Sequence, residues 1–223
     1  GYNAGGSISL LRATQSSVNT AYVDLENEIT PEAVVDSAIR AGIPGATAGL
    51  NAGPTTVLGT SSPHTLDMAA AYATFAARGL QANPYVIASV RNANGGLLYS
   101  KRPEVSRAYD ADIASQVTYA LTQVVKNGSG FAAQDLGRPA AGKTGTTNSN
   151  LSAWFVGYTP EISVAVSMAK STESGGLKTL RGTGGMARVT GGSFPARMWT
   201  AMVKAFLKDT PVQQFDGTTF NSG

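Results

Sequence analysis

The chain has 223 residues, with 17 basic against 14 acidic side chains, 42% apolar residues, one histidine and no cysteine. Without cysteine there is no disulfide scaffold, no thiol nucleophile and no Cys-based zinc site, and His64 alone cannot build a His-rich metal cluster. No apolar run approaches a bilayer span, and the basic residues are scattered rather than blocked, so neither a membrane helix nor a nucleic-acid footprint is expected.

Residues 1–6 read as loop. Ser9 can cap a helix over 10–14, and a second apolar helical segment covers 21–25, with the polar run Gln15-Ser16-Ser17-Val18-Asn19 between them. Thr30-Pro31-Glu32 is a helix start, Val34, Val35, Ala38 and Ile39 supply its inner face, and Gly42 closes it. Residues 43–63 are a Gly- and Pro-rich loop with short extended pieces. An Ala-rich helix over 65–77 offers Leu66, Ala69, Ala70, Ala73 and Phe75 for packing and stops at Gly79. A β-hairpin is expected from 85–90 and 97–99 around the turn 92–96. Asp110 then caps a helix in which Ile113, Val117, Leu121 and Val124 recur at helical spacing until Gly128. Three strands follow, at 142–147, 153–158 and 162–168, with Pro160 in the last turn. A helix over 194–207, carrying Met198, Met202, Val203, Phe206 and Leu207, precedes a polar tail expected to fray after Lys208. No βαβ rhythm appears, so the class is α+β: an antiparallel sheet flanked by helices. Neither an internal repeat nor a linker divides the chain.

Gly137-Arg138-Pro139-Ala140-Ala141-Gly142-Lys143-Thr144 matches the P-loop pattern for nucleotide phosphates residue for residue. That chemistry needs a buried strand before the loop and a helix springing from it. Here a helix closely precedes the motif, and Gly145-Thr146-Thr147-Asn148 is a poor helix start. Nucleotide binding is therefore rejected.

Two other groupings remain open. Ser17 and Asn19, two apart, diverge on a helix but converge in a tight loop between helices, where they are either a turn pair or two polar groups facing one cleft. In an extended strand, Lys143, Gly145 and Thr147 share one face, and Thr144 and Thr146 the other. They form either a routine edge strand or a cationic rim against which an extended peptide can lie, because Gly145 has no Cβ. His64 reads as a structural or surface residue ahead of a helix, and Trp154, Phe155 and Tyr158 read as core. Glu161 and Glu173 do not form a carboxylate pair. The Gly-rich stretch 182–192 is a loop to which no role is assigned.

Lys143-Thr144-Gly145-Thr146-Thr147, with Ser17-Val18-Asn19 far upstream, resembles the penicillin-recognising serine acyl-transferases. The wider blocks at 14–23, 62–76 and 141–160, including Trp154-Phe155-Val156-Gly157-Tyr158-Thr159-Pro160, narrow the resemblance to the transpeptidase domain of class A (bifunctional) penicillin-binding proteins. It runs from about residue 7 to about residue 207, so residues 1–223 are expected to be the C-terminal portion of one such domain, the fold incomplete in this chain. The resemblance implies a serine D,D-transpeptidase that cross-links peptidoglycan stem peptides ending in D-Ala-D-Ala through an acyl-enzyme. β-Lactams are its covalent inhibitors, and no metal or organic cofactor is needed. It assigns proton transfer to Ser17, positive potential to Lys143 and substrate hydrogen bonds to Asn19. Substrate contacts fall to Thr144, Gly145, Thr146 and Thr147, although Thr144 also suits a structural role, and the Thr146 main-chain N–H forms half of an oxyanion hole. The remaining expectations concern what the chain lacks. The family's Ser-x-x-Lys nucleophile lies several dozen residues before the Ser-x-Asn element, but only 16 residues precede Ser17. Ser167-Met168-Ala169-Lys170 matches the pattern only in a predicted strand, downstream of Lys143, where three-residue spacing puts the two on opposite faces. An upstream fragment is thus the expected partner and source of the nucleophile, with a glycosyltransferase domain and a membrane anchor beyond it, on the extracytoplasmic face. A D,D-carboxypeptidase, a β-lactam sensor and a half-domain inert without its complement are the competing readings.

Overall fold

In the computed structural model, which describes residues 6–217, short polar side chains open the first and third helices. Ser9 Oγ accepts the Arg12 N–H and opens α1, Leu10–Ser16. After only Ser17 and Val18 the chain re-enters a helix, α2, Asn19–Ile29, longer than the expected 21–25 segment. Thr30 ends α2 and caps α3, Pro31–Ala41, through a 3.4 Å bond from the Ala33 N–H. Ile39, expected inside, is exposed; Ala41 and Ile43 pack instead against Ala71 of α4, Thr65–Ala76. Leu66 is likewise exposed, because at 100° per residue it sits roughly 140° around the helix from buried Ala71. The loop expected to begin at residue 1 lies almost wholly outside the described residues.

Residues 80–107 form an arm. Its base pairs β1, Leu80–Ala82, with β4, Val105–Arg107, and its tip pairs β2, Ser89–Arg91, with β3, Leu97–Ser100. The predicted hairpin therefore exists, but 85–88 stay outside the ladder, and the β1–β4 pair was not anticipated. Asn92 Oδ1 accepts the N–H groups of Asn94 and Gly96 to fix the tip turn. The arm leaves and returns at one point, where the Gly79 carbonyl accepts the N–H groups of both Ala108 and Tyr109. Gly79 has φ +84°, and a Cβ there would collide with the Tyr109 carbonyl, so both the conformation and the close approach require glycine. Val86 (95% exposed), Leu98 (67%) and their neighbours lie open along the arm.

Asp110 precedes α5, Ala111–Asn127, without a side-chain capping bond. Ala114, Thr118, Leu121, Val124 and Val125 make its buried face, while Ile113, expected among them, is exposed one position off that face. A 3₁₀ segment at Phe131–Leu136 leads into an antiparallel sheet ordered β5 (Ala141–Thr146), β6 (Ser152–Tyr158), β7 (Ser163–Ser171) and β8 (Leu177–Lys178). The first three strands are those predicted, with ends shifted by at most three residues; β8 is additional and pairs with Lys170 and Ser171.

Helices cover both sheet faces. On one, Phe155, Val164 and Val166 meet Trp199 and Val203 of α6, Phe194–Phe206. Trp199, fully buried, donates its indole N–H to the carbonyls of Gly157 and Val164. Met198, Met202 and Phe206, by contrast, point outward. On the other face Ala141 and Tyr158 pack against Leu121 and Val124 of α5, and α4 is fastened to β7 by Ser163–Ala69 and Thr65–Ser167 hydrogen bonds.

The tail is not frayed as expected, at least through residue 217. Arg138 pairs with Glu161 at 3.2 Å, both side chains largely buried, and also donates to the carbonyls of Leu207 and Thr210. Glu161 accepts the Gln213 N–H, and Phe215 stands edge-on to Tyr158 at 5.7 Å between ring centres. One charged pair thus satisfies tail backbone groups that would otherwise turn to water.

Candidate active site

The two-residue connection between α1 and α2 is too short for regular backbone, and Ser17 takes it up in the left-handed region, φ 54° and ψ 53°. For a residue with a Cβ this conformation is uncommon and persists where surrounding contacts impose it. Its N–H donates to Thr14 O, and Val18, buried, donates to Ala13 O. The result is a hydroxyl projecting from a pinned corner. Asn19 opens α2 as an exposed residue, and Thr20 beside it is exposed as well.

Facing this corner stands β5, an edge strand whose hydrogen-bonded neighbour is β6. The Lys143 ammonium donates to Ser17 Oγ at 2.7 Å, joining residues 126 apart in the chain, and to Thr144 O at 3.1 Å. Burial lowers the Lys143 pKa from 10.5 to about 8. Because the ammonium already donates to Ser17 Oγ, the serine O–H is free to donate in another direction. A cation of reduced basicity bonded to a hydroxyl is an arrangement suited to moving a proton and to attracting a carboxylate.

The remaining strand residues divide by face. Register pairs Lys143 with Val156 and Gly145 with Trp154 on one side, and Thr144 with Phe155 and Thr146 with Ala153 on the other. Thr144 Oγ1 meets Ser129 Oγ at 2.6 Å, and Thr146 Oγ1 accepts the Gly191 N–H at 3.1 Å. Gly145 has a steric reason beyond substrate approach: a Cβ there would lie 3.3 Å from the Trp154 Cβ. Thr147 lies past the end of β5 rather than on its Lys143 face. Its Oγ1 accepts the N–H groups of Leu151 and Ser152 and donates to Ser152 O, closing the β5–β6 turn. No helix springs from Lys143; a 3₁₀ turn at Asn148–Asn150 and then β6 follow, which is not phosphate-loop geometry. Ser167 and Lys170 both lie in β7, and the Ser167 hydroxyl faces Thr65.

The loop 182–192, left without a role by sequence, borders this strand. Buried Asn150 holds it, its side-chain amide donating to Val189 O and accepting from Val189 N, while its own carbonyl accepts the Leu180 N–H. Two further supports escaped the sequence reading, Gln15 and Ser129. The polar interruption at 15–19 contained the only available sign of the first. His64 precedes α4, with its backbone N–H donating to Asp67. No helix of the described residues is long and apolar enough to cross a membrane.

A family model described as the penicillin binding protein transpeptidase domain matches residues 2–181. Penicillin-binding protein 1A of Mycolicibacterium smegmatis is 34% identical over 96% of this chain and 29% of its own length. Its namesake in Mycobacterium tuberculosis is 32% identical, with 96% and 28% covered. The solved structure of PonA1 from Mycobacterium tuberculosis superposes with a TM-score of 0.82 at 31% identity, over 96% of this chain and 60% of that one. The same protein in complex with penicillin V gives a TM-score of 0.77 at 30% identity, with the same coverage. The chain thus spans less than a third of the curated relatives it matches.

Proposed function

We propose, from the premise that this chain belongs to the penicillin-binding protein transpeptidase domain family, that it supplies the proton-relay and strand half of a serine D,D-transpeptidase site. It then forms the C-terminal portion of one domain, and the nucleophilic serine comes from polypeptide upstream of it. The observation that carries this reading is the 2.7 Å bond from Lys143 to Ser17.

The chemistry runs in two acyl transfers. A serine oxygen attacks the penultimate D-Ala carbonyl of a stem peptide, and the new C–O bond replaces the C–N bond to the terminal D-Ala. The serine proton passes through Ser17 to the departing amine. An amine of a neighbouring stem peptide then attacks the ester, returns its proton by the same route and releases the serine as the cross-link forms. Lys143, as ammonium, holds Ser17 oriented and attracts the substrate carboxylate. Asn19 hydrogen-bonds the substrate's peptide amide, the chain lies along β5 beside Gly145, and the Thr146 N–H faces the developing oxyanion. A β-lactam acylates the same serine, and penicillin V bound to the related PonA1 supports this ligand class. The substrate places the active protein on the extracytoplasmic face of a bacterial membrane, its anchor outside this chain.

Labelling with a fluorescent penicillin, followed by peptide mapping of the intact polypeptide, tests the reading. Label is expected on an upstream serine, and lost with Lys143→Ala. Label on residues of this chain would overturn the placement of the nucleophile, and no label would overturn the function. Release of D-Ala without cross-linked product would make the protein a carboxypeptidase, and a stable adduct with no D-Ala release a sensor.

A further inference from the structure

The Lys143–Ser17 bond joins two segments with no covalent reason to stay in register, and one turn touches both. After α5, residues 128–130 pass beside the edge of β5. On the α1 side, the Gln15 side chain donates to the Asn127 carbonyl at 2.8 Å, and the Ser129 N–H donates to Gln15 O at 3.3 Å. On the strand side, the Ser129 hydroxyl meets the Thr144 hydroxyl at 2.6 Å, one residue after Lys143, while the Lys143 ammonium donates to the Thr144 carbonyl. Ser129 is thereby bonded through its backbone to the segment that presents Ser17 and through its side chain to the strand that presents Lys143.

We infer that Ser129 is a positioning residue for the proposed acyl transfer, setting the separation of the Ser17 hydroxyl and the Lys143 ammonium through Gln15 on one side and Thr144 on the other. This rests on the transpeptidase reading above. It also gives the Thr144 hydroxyl a definite task, as a link facing away from the cleft rather than a substrate contact. The link is short and polar, and its two ends sit on elements far apart in sequence, so a loss is felt as misalignment of the pair rather than as unfolding.

The test is the second-order rate of acylation by a fluorescent penicillin, measured in the intact polypeptide for wild type, Ser129→Ala, Ser129→Thr, Thr144→Val and the double variant Ser129→Ala/Thr144→Val. Loss of one hydroxyl bond is expected to slow acylation about three- to tenfold in Ser129→Ala with the melting temperature unchanged. Ser129→Thr, which keeps a hydroxyl, restores the rate, and the double variant is no slower than either single one. The alkaline limb of the rate–pH profile shifts in Ser129→Ala and returns in Ser129→Thr, a change that a merely structural role would not produce. A Ser129→Ala rate equal to wild type overturns the inference and leaves the transpeptidase reading standing. So does a double variant much slower than both singles, which would return Thr144 to direct substrate contact. A wild-type protein that takes no label overturns the transpeptidase reading itself.

Discussion

The two faces of the β5–β7 sheet are built from different chemistry. Toward α6 the contact is mainly apolar: Phe155 stands edge-on to Trp199 at 5.3 Å, with Val164, Val166, Val203 and Leu207 around them. Toward α4 and α5 the contact is threaded with hydroxyls. Tyr158 bonds Thr118 at 2.9 Å, Ser163 donates to Ala69, Ser167 meets Thr65, and Lys143 reaches Ser17. An apolar interface stabilises in proportion to its area and tolerates small shifts, whereas a hydrogen bond fixes direction and distance. Both sides of the sheet combine apolar burial with directed bonds, the α6 side through the Trp199 indole and the Thr144–Ser129 hydroxyls, and Lys143 meets Ser17 on the side of α4 and α5.

The largest test of that contrast is Lys143→Ala, expected to slow penicillin acylation by about 100-fold or more while leaving the thermal midpoint intact. A variant that unfolds as it loses activity would show the polar face to be structural. Trp199→Ala should do the opposite, costing about 3–5 kcal/mol of stability by denaturant titration, with the rate–pH profile of the remaining folded protein unmoved. The pH dependence is intermediate in size. With its pKa at about 8, Lys143 loses its proton as pH rises through that value, so acylation that needs the ammonium declines above about pH 8. Stability moves the other way: between about 8 and 10.5 the unfolded chain binds the proton that the folded chain has lost, so this group's contribution to stability grows with pH. An acylation rate that climbs through pH 9 would mean that Lys143 acts as the free amine. The smallest effect is Thr118→Val, which takes a hydroxyl partner from buried Tyr158 and should cost about 1–2 kcal/mol in the same titration without altering acylation.

The two faces also differ in how far they could be foreseen. Strand positions, the α5 periodicity and the Lys143-Thr144-Gly145 block were legible because alternation and helical spacing are local properties of the chain. Helix orientation was less so: Ile39, Leu66 and Ile113 are apolar yet exposed, because the actual face was chosen by Ala71, Thr74 and Thr118, small or polar residues that hydropathy undervalues. Trp199 went unremarked among more conspicuous methionines, although its ring and its two carbonyl bonds anchor α6. At the site, the Ser17–Lys143 meeting could be suspected from motif content alone. Nothing local announces that Ser129 touches Gln15 and Thr144, since that contact exists only once α1, α5 and β5 are packed. The tail misled for a similar reason: its polar sequence reads as solvated, but Arg138 and Glu161, distant in the chain, supply the partners that hold it.

Gly79 has an architectural consequence. Because the outgoing and returning strands meet at its carbonyl, the whole 80–107 excursion is closed off at its base, where the β1–β4 pair begins. A change in the length of the tip turn at 92–96 leaves the Gly79 bonds and the β1–β4 register untouched, so insertions there are expected to be tolerated by the rest of the fold.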